Sequence, residues 1–227
     1  MATFLYNSSI GKKLVMSVTG VFLVLFILFH MSMNITALFS AEAYNMICAF
    51  LGASWYALAG TAVLAAGVAV HFIYALILTF QNRKARGSVR YAVTVKEKGV
   101  DWSSKNMLAL GIIVLVGLAL HLFNFWSKMQ LVEIMGQHTN SLGLSPTDGA
   151  ALIEYTFSQW YYVVLYLIWF AALWFHLTHG VWSMFQTVGW ANQTWYPRLK
   201  CIANVVATLV FLGFAAVVVV FFVKSIC

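Results

Sequence analysis

Residues 55–80 read WYALAGTAVLAAGVAVHFIYALILTF, 26 residues without one charged side chain. As a helix rising 1.5 Å per residue, the run covers about 39 Å, more than the roughly 30 Å hydrocarbon core of a bilayer. Such a stretch predicts a transmembrane helix. Working outward, runs of the same kind occupy about 14–38, 106–127, 160–187 and 201–223. The expected fold is all-α, a bundle of five transmembrane helices forming a single domain over residues 1–227. Composition points the same way. The 227 residues are 63% hydrophobic and 8% charged, against about 25% charged in soluble domains, so a water-soluble globule is excluded. Lys12 and Lys13 precede the first run as they would in a signal peptide. That run is too long, however, and lacks a small-residue cleavage site, so it is expected to remain in the mature chain.

Thirteen Lys and Arg against six Asp and Glu give a net charge of +7. With so few charges in all, this excess reads as membrane topology rather than as a nucleic-acid surface. Lys12, Lys13, Arg83, Lys84, Arg86, Arg90, Lys96, Lys98, Lys105, Arg198 and Lys200 fall on one side of the five spans, and only Lys128 and Lys224 on the other. The N-terminus is therefore expected in the cytoplasm, with residues 81–105 as a basic inner loop. Residues 128–159 then form an outer connection with room for a short interfacial helix. Trp55, Trp126, Trp160 and Trp190 stand near the span ends, where amphipathic rings belong.

The informative residues are five histidines inside hydrocarbon, His30, His71, His121, His176 and His179. An ionisable side chain at that depth is costly without a partner and by default marks a functional site. Measured from the cytoplasmic end of its own helix, His30 lies about 24 Å up and His121 about 22 Å, whereas His71 lies about 14 Å and His176 about 16 Å. Two levels with two imidazoles each are what two six-coordinate haems require. His179, about 12 Å up, would pair with His71 as readily as His176 does, and spacing does not choose between them. Gly67, Gly117 and Gly180 lie four residues from His71, His121 and His176 on the same helix faces, where a flat macrocycle could approach the backbone.

Other cofactor chemistries fit less well. Cys48, Cys201 and Cys227 are far apart, so neither a disulfide framework nor an iron–sulfur cluster is indicated. The spans hold no Asp or Glu, which zinc or a proton relay would want. A transporter would want paired helix breaks, and the two prolines, Pro146 and Pro197, are read as loop residues.

Four segments carry a family resemblance: FHMSMN (29–34), AEAYN (41–45), VHFIYALILTF (70–80) and FHLTHGVWSMFQTVGW (175–190). With one histidine in each of the first four helices, the whole chain resembles the single-polypeptide, five-helix dihaem cytochrome b subunit of the succinate dehydrogenases and fumarate reductases. The resemblance implies that His71 and His176 hold the iron of a proximal haem and His30 and His121 that of a distal one, both b-type. It favours His176 over His179, through Phe175, Gly180, Trp182 and Ser183. It also implies a flavoprotein subunit and an iron–sulfur subunit on the cytoplasmic side, a place in the inner (cytoplasmic) membrane, and a membrane quinone such as menaquinone as substrate. One departure is Trp174, where some fumarate-reducing relatives carry a glutamate used in proton movement.

The expected role is to anchor such a complex in the membrane and carry electrons between its iron–sulfur subunit and quinone near the outer face. A cytochrome b anchoring a hydrogenase or formate dehydrogenase would share the histidine ladder but not the helix-four segment. Quinone needs an apolar slot with groups able to exchange protons, and Glu42 and Tyr44 are the first candidates, ahead of Asn34, Glu133 and His138.

Overall fold

The computed structural model describes residues 7–87 and 101–227. Arg90, Lys96 and Lys98, which the orientation argument uses, lie outside the described residues. Among those described there are nine α-helices and no strand: α1 (Ser9–Phe39), α2 (Ala41–Phe50), α3 (Trp55–Arg86), α4 (Trp102–Lys105), α5 (Met107–Asn124), α6 (Gln130–Ile134), α7 (Gly149–Phe157), α8 (Trp160–Ser183) and α9 (Trp195–Ile226). Five of them, α1, α3, α5, α8 and α9, are long and apolar enough to cross a membrane.

Three of these helices run past the limits that hydropathy suggests. Lys12, Lys13, Arg83, Lys84, Arg198 and Lys200 all sit in helix, because backbone hydrogen bonding continues past the apolar run and long basic side chains can reach water or, as Lys200 does, an acidic partner. Pro197 belongs to the first turn of α9 rather than to a loop, a position where no intrahelical N–H is required. At the other end α8 stops at Ser183, four residues short of the expected 187.

The connection after α1 is helical, which the reading of spans did not anticipate. Ser40 makes both junctions: its N–H donates to Thr36 O (3.0 Å), closing α1, and its hydroxyl accepts from Ala43 N–H (3.1 Å), capping α2. Glu42 in the first turn suits the positive end of that helix. Residues 128–159 hold two short helices, α6 and α7, where one was expected.

Helices α1, α3, α5 and α8 form a closed ring, each touching the next, and α8 returning to α1. Helix α9 packs outside this ring against α8, its most extensive partner, and against α1. The well-packed core lies here. Ala203 and Ala207 of α9 are wholly buried beside Leu173, Leu177 and Val181 of α8, and Gly213 lets Met31 of α1 approach its backbone. Small residues at a helix contact are how apolar spans gain dispersion energy in lipid.

Candidate functional site

One histidine enters the ring from each of its four helices. His30 (α1) faces His121 (α5), ring centres 5.7 Å apart, and His71 (α3) faces His176 (α8) at 6.4 Å. Each pair spans a diagonal of the ring rather than two neighbours. Two imidazoles bound to opposite sides of one metal, with bonds of about 2 Å, have ring centres about 6 Å apart. Both separations suit that arrangement. No group of three or more His, Cys, Asp or Glu able to hold a metal occurs among the described residues. Each pair offers two facing imidazole donors.

The lower pair, His71 with His176, is backed by features of α1 and α5. Thr19 Oγ1 lies 3.1 Å from His71 Nδ1 and also 2.8 Å from Val15 O. If the hydroxyl proton goes to the carbonyl, the oxygen accepts from Nδ1–H and Nε2 of the neutral ring is the nitrogen left able to bind a metal. The Cβ that Gly20 lacks would stand 3.8 Å from the His71 ring, and that of Gly111 3.9 Å from the His176 ring. Gly20 precedes His30 by ten residues and Gly111 precedes His121 by ten, so the two levels lie about 15 Å apart along both helices. The sequence reading missed this pair of glycines, although their equal offset from the two histidines was visible.

The glycines expected to give clearance behave differently. Gly180 has nothing within 4 Å of where its Cβ would be, but Phe22 lies over Gly67 and the indole of Trp169 lies directly over Gly117. Gly67 and Gly117 thus receive aromatic side chains from within the chain. Trp169 is held there by its Nε1–H donating to Val114 O (3.0 Å).

The upper pair sits among rings. Phe26 stacks on His30 (5.4 Å), and Phe125 and Trp169 flank His121 at 5.3 and 5.8 Å. A short polar chain leads from this level to α2. Asn34 Nδ2 donates to His30 O (2.8 Å) and lies 3.4 Å from His30 Nε2, while Asn34 Oδ1 accepts from the Tyr44 hydroxyl (3.2 Å). Tyr44 is 8% exposed, and burial lifts its phenol well above the ordinary range, so it remains a donor at physiological pH.

The other candidates near the upper end are spread apart. Glu42 and His138 are exposed. Glu133 is half-buried, and its carboxylate accepts from Ala53 N–H (2.5 Å) just ahead of α3. Next to it, Gln130 accepts from Thr61 Oγ1 (2.9 Å) and Trp126 Nε1 (2.8 Å) and donates to Gly52 O (3.0 Å).

His179 is placed apart from the pairs. It packs edge-on against Trp182 (5.0 Å) and lines a cavity of about 200 Å³ with Trp182, Ser103 and the Lys200–Asp101 ion pair (2.9 Å). His176, and not His179, is the α8 histidine whose ring faces His71. Trp174 turns to α9, its Nε1–H donating to Thr208 Oγ1 (3.0 Å). Comparison with protein families, with curated proteins and with solved structures finds no match to this chain.

Proposed function

We propose that the chain is a dihaem cytochrome b membrane subunit that carries electrons between a partner iron–sulfur protein and membrane quinone, in a complex of the succinate dehydrogenase and fumarate reductase kind. The observation that carries this reading is the pair of crossed diagonals, His30 to His121 and His71 to His176, at two levels of one four-helix ring. Two facing imidazoles at each of two levels match the axial needs of a macrocycle and little else common in a membrane. When bound, haem supplies reversible one-electron transfer.

The protein's part is to orient, insulate and ration protons. Thr19 holds the His71 ring through its Nδ1. Phe26, Phe125 and Trp169 surround the upper imidazoles with apolar rings, a surround that tunes potential through low polarity. Asn34 and Tyr44 tie the upper level to α2 by hydrogen bonds, and within that link the Tyr44 hydroxyl is the group able to donate to a quinone oxygen nearby. With Glu42 exposed, Tyr44 becomes the better supported of the two first candidates.

Pyridine haemochrome analysis of the purified protein tests the reading, with two b-type haems per chain expected. One haem or none sinks it. Co-purification of a flavoprotein and an iron–sulfur protein, with succinate-dependent quinone reduction or quinol-dependent fumarate reduction, tests the choice of complex.

A further inference from the structure

A cavity of about 440 Å³ lies away from the histidine pairs, at the end of the bundle where α1 finishes. Its apolar wall comes from the last turns of α1 and α9, including Leu38, Phe39 and Phe221. Its polar wall is made by Ser40, Asn45, Asp148, Glu154 and Lys224. Much of that polar wall is already committed. Asp148 Oδ1 accepts from Asn45 Nδ2 (2.8 Å) and from Ala151 N–H (3.1 Å), and Asn45 Oδ1 accepts from Ala150 N–H (2.9 Å). Glu154 and Lys224 are different. They carry opposite charges and line the same cavity, yet the single ion pair found among the described residues is Lys200 with Asp101. Lys224 instead places its ammonium over the Phe221 ring, 5.4 Å from the centre.

Two opposite charges that share a cavity without pairing suit a ligand that is itself a zwitterion. The level is that of lipid headgroups, since the hydrocarbon-spanning parts of α1 and α9 end here. We propose that this cavity binds the headgroup of a phospholipid with a primary ammonium, an ethanolamine lipid. Its phosphate meets Lys224, and its ammonium meets Glu154 with three N–H donors to offer. The volume falls in the range of small-molecule sites. A glycerol headgroup would leave Glu154 and Asp148 facing an anion, and a choline headgroup has no N–H to donate. The apolar wall accounts for the start of the acyl chains. This site does not depend on the haem reading.

The full-length protein would be reconstituted in nanodiscs of equal parts phosphatidylethanolamine, phosphatidylcholine and phosphatidylglycerol, then released in mild detergent, with retained lipid counted by native mass spectrometry. Phosphatidylethanolamine is expected to be retained about tenfold over either competitor, the factor that one charge-assisted contact provides. Glu154→Gln and Lys224→Gln should each remove most of that preference, and the exchange of both charges, Glu154→Lys with Lys224→Glu, should restore part of it. Equal retention of the three lipids by the unaltered protein overturns the proposal. So does preference for phosphatidylglycerol, an isoprenoid quinone found in place of lipid, or an unchanged preference in both single variants.

Discussion

Thr19 shows how one side chain can decide what a histidine does. Its hydroxyl reaches both the Val15 carbonyl (2.8 Å) and His71 Nδ1 (3.1 Å). Thr19→Val keeps the shape and removes the partner of Nδ1. Losing such a support costs 10–100-fold in metal-site affinity as a rule of thumb, so haem retained at the lower level should fall by about that factor in a haem titration of the apoprotein. Thr19→Ser should hold near the original value. The two α8 histidines make a second contrast. His176→Gln should lose the low-spin electron paramagnetic resonance signal of the lower haem. His179→Gln should retain both signals, because His179 lines the cavity beside Trp182 and Lys200 rather than facing His71. Spacing could not choose between 176 and 179, since three residues along a helix leave both on overlapping faces. The helix-four resemblance favoured 176, and the packing of α9 along one side of α8 separates the two in space.

Helices were legible where hydrophobicity is one-dimensional and illegible where contact decides. Twenty-six uncharged residues leave α3 no alternative, whereas α2 is ten residues long and rests on a cap at Ser40 and on burying Tyr44 beneath α7. The pairing levels could be estimated from rise per residue, but the ring order of the helices could not, because periodicity says nothing of which helix is next to which. Glycines illustrate the same limit. Gly117 and Gly180 look alike in sequence, yet one lies under Trp169 and the other faces open space. Gly117→Ala should destabilise the chain by about 1–3 kcal/mol in denaturant unfolding, as overpacking does, while Gly180→Ala should be neutral or slightly stabilising. In α2, burial pushes the Cys48 thiol from 9.0 up to about 11. An unfolded thiol loses its proton near 9, the folded one near 11, so stability is intact below pH 9 and declines as pH rises toward 11. Cys48→Ala should lose less stability than the unaltered chain between about pH 9 and about pH 11 in the same unfolding assay.

For the whole molecule, the diagonal pairing makes a prediction that neighbour pairing would not. His30→Ala and His121→Ala should abolish one component of the reduced-minus-oxidised spectrum, and His71→Ala and His176→Ala the other, although α1 and α5 are not adjacent in the ring. Loss of the same component from His30→Ala and His71→Ala would break the scheme. Helix α9 contributes no histidine, yet it lies along the line where α8 meets α1, the join between the first and last members of the ring. It therefore works as a clasp across that join, carrying structural load for the ring without offering it a ligand.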